Sequence, residues 1–592
     1  MAIPALAELY SLLLGALAIL ILFSGLDDLI PAVVCLWHAF RVQEQPDCLT
    51  ESEPERRIAI FVPCWNESAV IADMVRHNVA AIRYQNYDFF LGVYPNDGPT
   101  VEVAQGLAAK LKNVHIAECA HPGPTSKADC LNWIYRRMRE YEQTADAYFD
   151  TVVIHDAEDL IHPAALALIN RERRRYDMVQ VPVLPLPTPA LELTHGVYCD
   201  DFSEYQSIDM RARQLTGSFI PSNGVGTGYS RKVLDSMARA RRNVVFDPES
   251  LTEDYESGIR IHALGFSQTF CSLRHSGANY LATREYFPRR FRAAVRQRTR
   301  WVMGNALQSW EKNSWRGSLA TKYWLWRDRK GLLTNPLGLL TSLLFLAGVF
   351  TWIIARLEGQ EWPMRLTEDW ANRLCMATLG LQCMRLVIRM ECVRRIFGIR
   401  FALIVPCRSF HVNLINALAA LSAIGRYANA KIHRRALTSL KTDHSYPDRG
   451  TLSSSYRNLE DALAASGLLD AAAFESARRR LPDDAELDDY LVHKELLTEE
   501  GLGEVLSMKE GVPAILIDPE ELDRRVARVL PVQPEPGLHL IPFRVERGRL
   551  LVAGPVPPKP NFREVLRQFT KLEVEFHLVT WRNFEELRRL LV

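Results

Sequence analysis

The sequence predicts a mostly parallel α/β sheet domain flanked by helices, joined to transmembrane helices and followed by a small C-terminal α+β domain. Three observations predict it. Short β-rich apolar runs alternate with amphipathic stretches between residues 58 and 184, as in a sheet covered by helices on both faces. Two uncharged apolar runs, Leu9–Leu26 and Leu332–Ala355, are long enough to cross a hydrocarbon core. Beyond residue 442 the composition becomes that of a soluble domain. At 592 residues the chain exceeds one compact core, so two or three domains are expected.

In chain order, Leu9–Leu26 reads as a first membrane helix. A cleaved signal peptide fits poorly, because no Lys or Arg precedes the run and no small-x-small site follows it. Leu29–Phe40 contains Pro31 and reads as interfacial or as a continuation of that helix. Leu332–Ala355 is a second span. Ala371–Met390 is a third apolar run, weakened by Arg373, Arg385 and Arg389, and 401–427 carries Pro406, Arg408 and His411. Residues 312–330, 394–400 and 426–441 are basic, whereas 356–370 are mostly acidic. The Lys/Arg bias therefore puts 41–331 on the cytoplasmic side and 356–370 outside. Residues 401–427 must then lie along or re-enter the membrane, or the tail is external.

Between the first two spans, the runs 58–63, 89–95, 114–119, 151–156 and 178–184 predict strands, and 68–82, 100–111, 126–143 and 163–175 predict helices. Ligands on such sheets bind outside the carboxyl ends of the strands. The first strand ends in Pro63-Cys64-Trp65-Asn66-Glu67, the second in Asn96-Asp97, and the fourth in Asp156-Ala157-Glu158-Asp159. A single acidic loop residue is most simply solvated. An acidic pair one residue apart after a buried strand, Asp156 and Glu158, offers two hard oxygen ligands for Mg²⁺ or Mn²⁺, and such an ion clamps a diphosphate.

Lys127 in Ser126-Lys127-Ala128-Asp129 opens a helix, where its charge and the free N–H groups suit phosphate. Thr252-Glu253-Asp254 reads at its plainest as a helix start capped by Thr252. Gln297, Arg300 and Trp301 lie at i, i+3 and i+4 on one helix face, in an Arg-rich stretch that also suits an interfacial helix.

Taken as an ordered set, these pieces make residues 56–301 resemble the membrane-embedded family 2 glycosyltransferases of GT-A fold, the branch that includes cellulose and hyaluronan synthases. The wording HDAED followed by HP, GTGYSR and LTEDYESGIR is most similar to the phage-receptor inner-membrane enzymes of the phage adsorption protein B type. The resemblance implies that Pro63, Asn66, Glu67 and Asp97 line a uridine pocket and that Lys127 contacts the donor nucleotide. It implies that Asp156, also on the donor, and Glu158 hold the metal, with Glu158 standing where Asp is usual and Asp159 at hand to share the task. Asp254, beside Glu253, would be the general base, and Gln297, Arg300 and Trp301 would meet the acceptor sugar and the diphosphate. The implied protein is an inverting, metal-dependent transferase of the bacterial inner membrane. It would be multi-pass, with its catalytic domain in the cytoplasm, a UDP-sugar donor and a polysaccharide acceptor, and it could act with an outer-membrane export or receptor protein. Single transfer to a lipid or carrier, and a non-catalytic receptor or scaffold, are the alternatives. The net charge of +1 argues against nucleic-acid partners. The eleven cysteines, without a C-x-x-C pair, read as reduced, buried thiols.

The tail resembles the N-terminal domain of type II secretion ATPases, carried by LLTEEGLGEVLSMKEGVPAILIDPEELD and IPFRVERGRLLVAGP. Some relatives of that domain bind cyclic di-GMP through two R-L-G-x-x-L-V-x-x-G repeats. Here the repeats begin Asn458-Leu459-Glu460 and Glu486-Leu487-Asp488, with Glu495 replacing a glycine. Acidic groups repel a dinucleotide's phosphates, so the tail reads as a structural or partner-docking domain. The expected layout is an N-terminal membrane segment (1–45), GT-A domain (46–285), interfacial helices (286–331), membrane region (332–440), linker (441–455) and tail domain (456–592).

Overall fold

The computed structural model describes residues 2–41, 54–273, 275–276, 279–362, 369–435, 437, 463, 469, 471–481, 487–510, 512–519, 522–529, 539–546, 548–557, 562, 566–567 and 569–591. The chain divides into two units, Met1–Arg274 with Tyr280–Tyr446, and Pro447–Val592 with His275–Asn279.

The first unit begins with helix α1 (Ala2–Arg41), which runs unbroken through Pro31, so 29–40 continues the first helix. Then follow β1 (Ile58–Pro63), α2 (Ile71–Ala81), β2 (Tyr87–Val93), α3 (Gly98–Lys110), β3 (Val114–Glu118), α4 (Lys127–Ala145), β4 (Thr151–Ile154) and α5 (Ala165–Glu172). After these come β5 (Met178–Gln180), β6 (Val183–Pro185), α6 (Leu193–Glu204), α7 (Met210–Leu215), β7 (Thr227–Ser230), α8 (Arg231–Ala240), α9 (Glu253–Ala263), β8 (Gln268–Phe270) and β9 (Thr283–Glu285).

The main sheet has strand order β3-β2-β1-β4-β7-β5-β8. β1 to β4 are parallel, because each is joined to the next by a crossover helix. β7 enters antiparallel between β4 and β5, with Thr151 opposite Ser230 and Met178 opposite Tyr229. Both faces are covered, which is why IAIFVP is a continuous apolar run. Ile58, Ile60 and Val62 pack with Ile71, Met74 and Leu107, while Ala59 and Phe61 pack with Leu131, Ile134, Val233 and Met237. The carboxyl ends of β1, β2 and β4 consequently open on one edge, where Pro63 faces Gly92 and Phe61 faces Ile154.

Beyond the sheet lie α10 (Phe291–Trp301), a π-helical segment Val302–Gln308, α11 (Ser309–Asn313), α12 (Leu319–Leu357), α13 (Asp369–Phe397), α14 (Ile399–Ala402) and α15 (Val405–Ile432). Among the described residues two helices, Leu12–Arg41 and Leu319–Leu357, are long and apolar enough to cross a membrane. Two of the arginines that dilute 371–390, Arg385 and Arg389, are matched by acids. Arg385 lies 2.8 Å from Asp28 of α1, and Arg389 reaches Asp201 at 3.0 Å and Glu204 at 2.6 Å. Lys330 of α12 meets both Asp27 and Asp28 at 2.5 Å. Desolvated charge persists where it is paired.

The second unit holds α16 (Ala471–Arg479), α17 (Leu487–His493), α18 (Glu499–Glu510), α19 (Arg524–Ala527), β10 (Ile541–Glu546), β11 (Arg549–Gly554), β12 (Glu573–Leu578) and α20 (Trp581–Arg589). β10 and β11 are antiparallel, and β11 and β12 are parallel. Residues 458–460 and 486 of the degraded repeats lie outside the described residues. Glu495 is described, and it adopts φ +55°, the left-handed conformation for which glycine is suited.

Candidate active site

The loops after β1, β2 and β3 are tied together into one wall. Asn66 turns at φ +58°, and its backbone N–H donates to Asp97 Oδ2 at 2.6 Å. The Glu67 N–H donates to Thr100 Oγ1 at 3.1 Å. Asn96 pairs with both backbone groups of Gly123 at 2.7 Å, and the Tyr94 and Thr125 hydroxyls meet at 2.5 Å. Trp65 stands edge-on to Tyr94, and a Cβ on Gly123 would come within 2.6 Å of its ring. Below, the Cys64 thiol is pushed well above its ordinary range by burial and then by Glu67, Asp156, Asp97 and Glu158. The structure thus gathers Pro63, Asn66, Glu67 and Asp97 at the same strand ends as the acidic pair.

After β4 the chain turns through His155–Asp159. Asp159 is fully buried and serves the loop itself: one oxygen accepts from the Asp156 N–H at 3.0 Å and lies 2.7 Å from His155 Nδ1. Asp156 is left half-buried, with Oδ1 2.5 Å from Lys127 Nζ. Lys127 is placed by the start of α4, where Ser126 Oγ accepts from the Asp129 N–H at 3.3 Å. Its ammonium also donates to the Gly224 carbonyl at 3.1 Å. Gly224 sits at φ +83°, and a Cβ there would lie 2.8 Å from Asp254 Oδ2. Lys127 therefore stands between the D-x-acidic loop and the Thr-Glu-Asp turn. Burial alone would lower its pKa, but Asp156, Glu253 and Asp254 together raise it.

Glu253 and Asp254 open α9. Burial raises both carboxyls, Asp254 adds to the rise of Glu253 to about 7, and Lys127 and Arg300 oppose the rise of each. Asp254 Oδ1 accepts from the Tyr255 N–H at 2.7 Å. Thr252 occupies the N-cap position without a side-chain capping bond, contrary to its plainest sequence reading. It packs instead against the π segment, where a Cβ on Gly304 would overlap it. Gln308 of the same segment accepts from the Leu251 N–H at 3.0 Å and donates to the Glu249 carbonyl at 2.8 Å.

Gln297, Arg300 and Trp301 occur on α10, immediately before that π segment. Gln297 Oε1 and Arg300 Nε are buried atoms with no hydrogen-bond partner among the described residues. Trp301 is partly buried among Tyr198, Phe202 and Phe287, with ring centroids 6.1, 6.4 and 6.5 Å away.

Glu285, absent from the sequence reading, belongs to this region. Leu160 and Arg284 exchange backbone hydrogen bonds at 2.8 and 3.0 Å, joining β9 to the acidic loop. The Glu285 carboxyl is raised well above its ordinary range by burial and by Asp159, Glu158 and Asp156. Among the described residues no three His, Cys, Asp or Glu side chains form a ready-made metal cage. The donor set nonetheless fits a divalent cation. Asp156 and Glu158 offer two oxygens, Asp159 Oδ1 is buried without a hydrogen bond among the described residues, and Mg²⁺-like ions are held by one or two carboxylates plus substrate phosphates.

Residues 54–304 match the family model described as glycosyltransferase like family 2. The chain is 32% identical over 581 residues to bacteriophage adsorption protein B of Escherichia coli (strain K12), covering 91% of this chain and 76% of the relative. A mannosyltransferase from Pyrobaculum calidifontis, solved with GDP-Man and Mn²⁺, superposes on 69% of this chain and 99% of its own, at 14% identity and TM-score 0.41. A structure described as MshE with cdg covers 23% of this chain and 99% of its own, at 22% identity and TM-score 0.20.

Proposed function

The chain belongs to the bacteriophage adsorption protein B family and carries a family 2 glycosyltransferase domain, and from that premise we propose that it transfers a sugar, with inversion, from a UDP-sugar to a growing polysaccharide at the cytoplasmic face of a bacterial inner membrane. The observation that carries this reading is the single ammonium of Lys127 set between Asp156, 2.5 Å away, and the Gly224 loop against Asp254. A site for nucleotide sugar needs this juxtaposition of diphosphate handling and a base.

In this reading Asn66, Glu67 and Asp97 hold the nucleoside end and Lys127 the phosphates. Asp156 and Glu158 would hold Mg²⁺ or Mn²⁺, which when bound supplies Lewis-acid charge to the leaving diphosphate. Asp254 removes the proton of the acceptor hydroxyl, and its raised pKa brings a carboxylate closer to the operating pH, as a base requires. Arg300 offsets charge developing on the departing UDP, and Trp301 presents a ring to the acceptor sugar. The two apolar helices and the basic stretches support anchoring in the bilayer, with α13 as a third span. The name of the Escherichia coli relative supports a role in phage adsorption, and an outer-membrane partner in that role is part of the proposal alone.

Purified full-length protein, screened against UDP-sugars with Mg²⁺ or Mn²⁺, releases UDP with at least one donor. The same preparation carrying Asp254→Asn binds that donor and does not turn over. If no UDP-sugar is consumed, or the variant transfers at the wild-type rate, the reading fails.

A further inference from the structure

Helix α6 carries three acidic residues within one and a half turns, and each captures an arginine from a different helix. Asp200 holds Arg408 of α15 through two bonds of 2.7 Å, both side chains buried. Glu204 takes Arg389 of α13 at 2.6 Å. Asp201, between them, divides its oxygens: Oδ2 lies 2.8 Å from Arg298 of α10, and Oδ1 lies 3.0 Å from Arg389.

Arg298 is the second residue of the Q-R-T-R-W run, and its side chain turns to α6 and α15. It is buried, its guanidinium lies 4.6 Å over the Tyr198 ring, and it donates to Asn416 Oδ1 at 2.6 Å. Ala294, one turn back on the same face, is also buried. At 100° per residue, Arg298 lies about 200° around the helix from Arg300. Arg298 and Trp301, about 60° apart on the helix, both pack on Tyr198, so α10 is pinned along that side while Arg300 stands on the far side of the helix.

Resting on the reading above, we propose that Asp201 is a positioning residue of the transfer reaction: by holding Arg298 it fixes the rotation of α10 and so aims Gln297, Arg300 and Trp301, and by sharing Arg389 it ties that aim to α13. Asp201 touches neither substrate nor reacting atoms. Donor binding, which depends on the loops after β1 to β4, stands apart from it.

The test uses the full-length protein in lipid nanodiscs, with acceptor and donor varied separately. Asp201→Asn lowers kcat/KM for the acceptor about tenfold or more, as misplacement of a site face does, while donor KM and metal-dependent donor binding stay within twofold. Arg298→Gln gives the same loss, and the double variant loses no more than either single one, because the pair acts as a unit. Asp201→Glu, which keeps the charge, recovers most of the acceptor kcat/KM, and it carries the test if Asp201→Asn does not fold. Unchanged acceptor kinetics, or parallel losses in donor binding, thermal stability and turnover, overturn the inference while leaving the transferase reading intact. A wild-type protein without UDP release instead overturns the reading beneath it.

Discussion

Lys127 Nζ lies 2.5 Å from Asp156 Oδ1 and 3.1 Å from the Gly224 carbonyl, so one cation spans the gap between two motifs about a hundred residues apart in sequence. Lys127→Met is expected to lower kcat/KM for donor by about 10²-fold, the scale of one lost charge-stabilising group. The losses divide between binding and turnover, and pre-steady-state UDP release separates them.

Asp254→Asn is expected to reduce turnover by 10²–10⁴-fold, the range for a lost general base, with donor affinity retained. Isothermal titration with the donor and a radiolabelled-sugar assay check the two halves.

The acid limb of the activity profile is expected above the ordinary carboxylate range, since burial raises Asp254, the base, and its neighbour Glu253 as well. A base works deprotonated, so activity rises with pH through that limb. Arg300 lowers both carboxyls, and Arg300→Ala should therefore move the limb to higher pH as well as slow the reaction. The stability consequence has the opposite sense. Carboxyls raised in the folded state favour it while protonated, and that contribution is lost as pH climbs from the ordinary carboxylate range through the folded values. Thermal melts across pH 4–8 show it as a smaller difference between wild type and the double variant Glu253→Gln/Asp254→Asn at low pH than at high pH.

Gly304→Ala should destabilise the first unit by about 1–3 kcal/mol, the cost of forcing a group into a filled space, because its Cβ would overlap Thr252. Adding Thr252→Gly empties the space and restores part of the loss. Scanning calorimetry of the pair against wild type is the check.

Asp200→Ala leaves the fully buried Arg408 without its carboxylate, and a broken buried pair costs about 3–5 kcal/mol. This variant is expected to be recovered in low yield and to melt early, whereas Asp201→Asn is not, since the Asp201 pairs are partly exposed.

Much of the site was legible because strands and chemistry coincide there. IAIFVP reads as a strand and ends at the loop bearing Asn66 and Glu67, and the TVVI strand runs directly into the acidic pair. What was missed has physical causes. β7 is the four residues TGYS and β8 the three residues QTF, too short for any periodicity to register, and an antiparallel strand inserted from downstream leaves no local trace. Glu285 enters through pairing of β9 with β6, a contact made across about a hundred residues. The π segment over Val302–Gln308 depends on a register change that apolar spacing at 3.6 residues cannot encode, although Gly304 and Gln308 within it fix the turn before Asp254. Arg385 and Arg389 argued against a helix buried in apolar surroundings because hydropathy counts charges singly. Their acids lie on α1 and α6, far off in sequence. Asp159, by contrast, was legible as an acid but not as a loop anchor, since that role depends on a turn that sets its side chain on His155 and the Asp156 N–H and its carbonyl on distant Asn78.

The antiparallel strand β7 has a mechanical implication. It lies between β4, which delivers Asp156, and β5, and the Gly224–Gly226 turn that leads into it is the surface against which Lys127 and Asp254 rest. Because that turn is stitched into the middle of a seven-stranded sheet, the spacing between the donor side and the base side is set by backbone ladders on both flanks. A nucleotide sugar would meet a gap of fixed width there, and any gating would fall to the helices and loops around it.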